Sequence, residues 1–337
     1  MRDSKAVIFG CLGPRLTPEE TVFFSESQPI GFILFSRNCV NPKQLRELIK
    51  NLRSTINNEY APILIDQEGG RVVRLQEPHW RKPPPAKLFA DLAKTNIGLA
   101  CEALNLNIRL IGHELRSLGI NVNCLPVLDV PIMGADPIIG DRALGIDAET
   151  IAVLGRVACD SLLKEGVLPV IKHIPGHGRA KVDSHKALPI VQTDLIELSK
   201  VDFLPFKVLA DMPLAMTAHI IYQAIDPDCP ATTSSKIIRN IIRKELGFDG
   251  LLISDDLSMG ALDGEFSYRA QAALAAGCDV VLHCNGEISE MRVISDSVGK
   301  LSNKSVGRLE SALERIRGFE ILDKLAAVDR LAELGIK

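Results

Sequence analysis

Val167-Leu168-Pro169-Val170-Ile171-Lys172-His173 is an apolar run of strand length that passes without transition into a lysine and a histidine. Near-continuous hydrophobicity of this kind reads as a strand buried on both faces, the habit of parallel sheets. Seven similar runs lie around it: Ala6–Phe9, Gly31–Phe35, Pro62–Ile65, Asn121–Leu125, Leu214–Thr217, Leu251–Ile253 and Asp279–Leu282. Segments with helical signals separate them. Thr17-Pro18-Glu19-Glu20 sets a capping-box threonine three residues before a glutamate, with proline at the first helical position, and Asn41-Pro42 repeats the cap. Leu45, Leu48, Ile49 and Leu52 then form a stripe at helical spacing, as do Ile237, Ile238, Ile241, Ile242 and Leu246 before a terminating Gly247.

Eight strand-helix units with no Ser/Gly-rich linker and no break in composition predict one α/β domain over 1–337. A closed TIM (β/α)8 barrel fits this better than an open doubly wound sheet. A helical tail from about 303 to 337 is expected on the barrel exterior. Pro83-Pro84-Pro85, in the longest gap between strands, is expected to be a stiff loop beside the site.

The bulk properties narrow the function. With 46% hydrophobic and 24% charged residues the chain has ample material for a core, and its net charge of -3 gives no broad attraction to nucleic acid or an anionic membrane. Met1 to Lys5 lead into an apolar run too short for a signal sequence, and no stretch approaches the roughly 20 apolar residues of a membrane span. The eight cysteines (11, 39, 101, 124, 159, 229, 278 and 284) form no Cys-x-x-Cys pair and mostly lie in apolar runs. These features predict a soluble, unexported, cytoplasmic protein in a reducing compartment with a small neutral or mixed-charge ligand. A monomer without a cofactor is expected, although composition and charge do not fix the oligomeric state.

In such barrels the reacting groups stand at the C-terminal ends of the strands, where the βα loops line one rim. Just past the runs come Asp66, Asp129, Lys172 and His173, His219, and Asp255 with Asp256. Lys172 needs a partner if it is buried, and the acidic pair Asp255-Asp256 is the expected one. The segment from Lys172 through Gly176, His177 and Gly178 to Asp183, Ser184 and His185 holds three histidines, two glycines and an aspartate. One reading is metal, since imidazoles and a carboxylate could hold zinc, although the lysine would repel the cation and no well-known ligand spacing is met. The other is acid/base work, with Asp183 accepting from His185 and fixing its tautomer, and the glycines giving the loop mobility.

At these residues the sequence resembles family 3 of the glycoside hydrolases, in particular single-domain bacterial β-N-acetylglucosaminidases of peptidoglycan recycling. The resemblance rests on Ile65-Asp66-Gln67-Glu68-Gly69-Gly70-Arg71-Val72-Val73-Arg74, on Gly140-Asp141-Arg142, on Lys172 to His185, and on Phe248-Asp249-Gly250 leading into Ser254-Asp255-Asp256-Leu257-Ser258-Met259. It implies a retaining hydrolase of terminal β-linked N-acetylglucosamine acting on muropeptide fragments, with Asp255 as nucleophile and His185 as acid/base oriented by Asp183. It likewise implies sugar binding by Asp66, Arg74, Arg142, Lys172 and His173, and no metal. Lys172 is expected to lower the pKa of Asp255, and Asp256 to be a structural neighbour. Ile174, where an aromatic is common, and Ala143-Leu144, where Ser-Phe is usual, are expected to alter the apolar wall of the site. A related phosphorylase, a metal-dependent barrel hydrolase and a catalytically dead sugar binder remain the alternatives.

Overall fold

The computed structural model describes residues 3–336; positions 1, 2 and 337 of the single-domain reading, with the first two of the N-terminal segment, lie outside them. Eight parallel strands close into a barrel in chain order: β1 (Lys5–Gly10), β2 (Pro29–Leu34), β3 (Ile63–Ile65), β4 (Val122–Asn123), β5 (Leu168–Ile174), β6 (Leu214–Thr217), β7 (Leu251–Asp256) and β8 (Val280–His283), with β8 pairing back to β1. All eight apolar runs are therefore strands of one TIM barrel. Nearly every residue in them is buried, because helices cover the outer face and side chains fill the inner one.

Around the barrel stand α1 (Pro18–Ser27), α2 (Pro42–Thr55), α3 (Ala86–Ala93), α4 (Ile97–Leu118), α5 (Ala148–Lys164), α6 (Leu195–Lys200), α7 (Leu204–Val208), α8 (Phe266–Ala276) and α9 (Ile288–Ser297). The α1 cap forms as its sequence requires: Glu20 N–H donates to Thr17 Oγ1 at 3.1 Å, and Thr17 N–H to the Glu20 carboxylate at 2.8 Å. Leu45, Leu48, Ile49 and Leu52 of α2 are buried as one face. The isoleucine stripe at 237–242 is buried too, but Ile237–Glu245 is wound as a π-helix rather than an α-helix. Two short strands, Ile190–Val191 and Ile221–Tyr222, make a separate parallel pair that no apolar run announced.

The tail departs from expectation. Val306, Leu309 and Ala312 of α10 (Asn303–Glu314), with Leu301, join the apolar cluster that fills the barrel interior beside Ala6, Ile8, Leu168 and Leu251. This helix closes the N-terminal floor of the barrel instead of lying on its outside. α11 (Lys324–Glu333) packs on the outer helices, against α4. The stretch between α9 and α10 is also stitched to the start of the chain, with Ala6 N–H donating to Gly299 O and Leu301 N–H to Ser4 O, each at 3.0 Å.

Candidate active site

With the floor closed, the polar ends of the strands open only upward. Adjacent strand residues normally face opposite sides of a sheet, but the pairing of β5 with β6 shifts register between Lys172 and Ile174, so Lys172 and His173 both reach the mouth. A cavity of ≈ 360 Å3 lies there, lined by Asp66, Glu68, Arg74, Arg142, Lys172, His173, His185, Asp255 and Asp256. Phe35, Met216, Met259 and Leu282 supply apolar wall. Phe35 is flanked by the guanidinium groups of Arg37 and Arg74, 4.8 and 5.1 Å from its ring centre.

Five charges form an alternating string along one side. Arg74 Nη2 donates to Asp66 Oδ2 at 3.0 Å, Lys172 Nζ reaches Asp66 Oδ1 at 2.8 Å and Glu68 Oε1 at 2.6 Å, and Arg142 grips Glu68 with Nε and Nη2 at 2.8 and 2.9 Å. Burial opposes ionisation of Asp66 and Glu68, yet the cations outweigh it: both carboxyls sit below their usual range, Glu68 at about 2. Lys172 stays charged, since burial is outweighed by Asp66 and Glu68, which raise its pKa. The partners of Lys172 are thus Asp66 and Glu68, not the expected Asp255-Asp256. The β3 loop projects two carboxylates toward the lysine, and β7 turns its acidic end elsewhere. Glu68 stood unassigned within its motif because a glutamate before Gly-Gly reads equally well as a solvated turn residue.

Asp255, the last residue but one of β7, stands next to a different set of groups. Its Oδ1 accepts from Asp256 N–H at 2.8 Å, and burial, which opposes its charge, is outweighed by His219, His173 and that N–H, so its pKa is lowered. Histidines, and not Lys172, supply the favourable field. Asp256 is structural as read, accepting from Ser258 N–H and Cys284 N–H, each at 3.1 Å. His219 and Asp129 are buried one layer behind the cavity. His219 Nε2–H donates to Asp256 O at 3.0 Å, and its Nδ1 meets Thr232 Oγ1 at 2.7 Å. Asp129 Oδ2 accepts from His173 Nδ1 at 2.7 Å, which leaves His173 Nε2 for a ligand.

His185 Nδ1–H donates to Asp183 Oδ1 at 2.7 Å, and the backbone N–H of His185 reaches the same oxygen at 2.9 Å. Burial opposes the charge of Asp183, but these two bonds outweigh it and lower its pKa. The imidazole is exposed at the cavity rim with Nε2 unpaired in this dyad. The glycines do not serve mobility: Gly176 and Gly178 are buried, and a Cβ at 178 would stand 1.9 Å from Val130 O. Each histidine of the segment has its own partner, His173 with Asp129, His177 with Ser184 and His185 with Asp183. Among the described residues no group of three or more His, Cys, Asp or Glu is placed to hold a metal ion. Pro83 and Pro84 back the site from behind, with Gly70 N–H donating to Pro83 O at 2.9 Å. Ile174, Ala143 and Leu144 are buried behind the cavity and do not form its wall.

The chain matches the family model described as the glycosyl hydrolase family 3 N-terminal domain over residues 15–318. It is 34% identical over 323 residues to a β-hexosaminidase of Nitrosomonas eutropha, covering 95% of this chain and 90% of the relative. To a β-hexosaminidase of Methylococcus capsulatus it is 39% identical over 282 residues, covering 82% of each. Among solved structures it resembles NagZ from Neisseria gonorrhoeae in complex with N-trifluoroacetyl-D-glucosamine, with a TM-score of 0.87, 29% identity and 98% of each chain covered. A family 3 β-N-acetylglucosaminidase from Paenibacillus sp. superposes with a TM-score of 0.86 at 31% identity, covering 97% of this chain and 67% of that one.

Proposed function

The chain belongs to glycosyl hydrolase family 3, and from that premise we propose that it is a retaining β-N-acetylhexosaminidase that releases terminal β-linked N-acetylglucosamine. The observation that carries the reading is the sharing of one cavity by Asp255, His185 and the five binding candidates Asp66, Arg74, Arg142, Lys172 and His173. The acylated glucosamine bound by the structurally similar gonococcal protein supports the choice of sugar.

In this mechanism Asp66 accepts from sugar hydroxyls while Arg74, Arg142 and Lys172 donate to the remaining oxygens and His173 Nε2 adds a further contact. Asp255, kept ionised by its neighbours, attacks the anomeric carbon. As the carbon–oxygen bond breaks, His185 gives its Nε2 proton to the leaving oxygen, and the aglycone departs as an alcohol. The neutral imidazole then takes a proton from water, whose oxygen displaces the Asp255 carboxylate and restores the starting configuration. Asp183 holds the Nδ1 proton throughout and stabilises the imidazolium.

The natural substrate in this reading is N-acetylglucosamine β-1,4-linked to 1,6-anhydro-N-acetylmuramic acid, with or without peptide, met in the cytoplasm during peptidoglycan recycling by a monomeric single-domain enzyme. No described helix is long and apolar enough to cross a membrane. An aryl β-N-acetylglucosaminide is expected to be cleaved at least about 100-fold faster than the matching β-glucoside, with free sugar formed in phosphate-free buffer, which separates hydrolysis from phosphorolysis. Asp255→Ala is expected to fall below about a thousandth of the wild-type rate. A variant that retains more than a few per cent of activity overturns the nucleophile assignment.

A further inference from the structure

A run of buried hydrogen bonds links the sugar-binding side of the pocket to the dyad, and the mechanism above leaves it unused. Asp129 holds two separate parts of the β5 loop, since its Oδ1 accepts from the N–H groups of His173 at 3.1 Å and His177 at 2.6 Å. The His177 ring, 3% exposed, lies 5.5 Å from that of His173, and its Nε2 is 3.0 Å from Ser184 Oγ. Ser184 is itself buried and is the residue between Asp183 and His185. Burial above all, then the adjacent His173, pushes the His177 pKa down to about 4, so the ring is neutral and carries one N–H. Its Nδ1 is buried with no partner. A proton on Nδ1 would strand a donor there, whereas a proton on Nε2 strands only a lone pair, so Nε2–H donates and Ser184 Oγ accepts.

We propose that His177 and Ser184 are positioning residues of the acid/base, whose hydrogen bond pins the loop between the two dyad members and so sets where the His185 imidazole stands over the pocket. This rests on the reading of His185 as the acid/base. On the other side of the same residue Gly260 N–H donates to His185 O at 3.2 Å. With both pins the imidazole is fixed; with Ser184 unpinned the loop is held at one point and the ring can turn about it. Displacement of about 1 Å at a reacting group can cost on the order of 100-fold in rate.

The experiment compares kcat/KM for two aryl β-N-acetylglucosaminides, phenyl, whose departure needs a proton, and 2,4-dinitrophenyl, whose departure does not. Ser184→Ala is expected to lose about 30- to 100-fold on the phenyl substrate and less than about threefold on the dinitrophenyl one. Ser184→Thr, which keeps the hydroxyl, is expected to recover the phenyl rate to within about threefold. His177→Phe, which keeps a ring but no donor, should match Ser184→Ala. Equal losses on both substrates, or no loss on either, overturn the proposal. Failure of the functional reading looks different, because the wild type then cleaves neither substrate.

Discussion

Lys172 carries an ammonium group to a place where its side chain is 3% exposed, and it is tolerable there because Asp66 and Glu68 face it from one loop. A buried charge is strongly destabilising once its partner is removed, more so than the pair was stabilising. Lys172→Met leaves the two carboxylates repelling each other beneath Arg74 and Arg142. It is expected to lower stability by about 3–5 kcal/mol in urea unfolding and to reduce kcat/KM more than about 100-fold. A stability change under about 1 kcal/mol would show that the string of charges is not the support it is taken for. The need for a partner was legible in the sequence, since the lysine continues an apolar run directly. Which carboxylate answers it was not, because that depends on strand order and register. Asp183 and His185 were legible as a pair for the opposite reason: one intervening residue puts both in a single turn whatever the rest of the fold does.

Secondary elements were legible in proportion to how much of their environment is local. Each strand carries its burial on both faces in its own composition, so all eight could be located, and the Thr17 and Asn41 caps are contacts within four residues. An apolar stripe on a helix, by contrast, announces a face without naming what covers it. The stripe of α10 would look the same on the outside of the barrel as across its floor, and only the structure shows that Leu309 meets the interior strands. The π winding of Ile237–Glu245 is hidden similarly, since its isoleucines are buried under either winding. Leu309→Ala is expected to cost about 2–5 kcal/mol of stability while leaving KM unchanged, because the helix lies at the end of the barrel opposite the pocket. Thermal unfolding and steady-state kinetics on one preparation test both halves, and a changed KM with intact stability would contradict the placement.

At the scale of the molecule, acid should unfold this protein by attacking its pocket. Asp66, Glu68 and Asp129 are all buried, which opposes their ionisation, and all are nonetheless held below the normal carboxylate range by neighbouring cations and N–H groups, Glu68 and Asp129 at about 2. A group whose folded pKa lies below its unfolded one contributes stability that is complete above the unfolded value, roughly pH 4 to 5, and is lost as pH falls through the folded one. At about 1.4 kcal/mol per unit, the groups together put on the order of 5 kcal/mol at stake between about pH 4 and pH 2. The urea midpoint is expected to fall steeply across that window; equal midpoints at pH 7 and pH 3 would refute the account. The stitching of Ser4 and Ala6 to residues 299 and 301, together with the pairing of β1 and β8, bears on how the molecule is made. One edge of β1 finds β2 soon after it in the chain, but the other edge pairs with β8, the last strand of the ring, and stays an unpaired, apolar edge until that strand has been made. The ring can be completed only after β8 and the segment at 299–301 have followed, which marks the open side of β1 as the surface of the growing barrel most in need of protection.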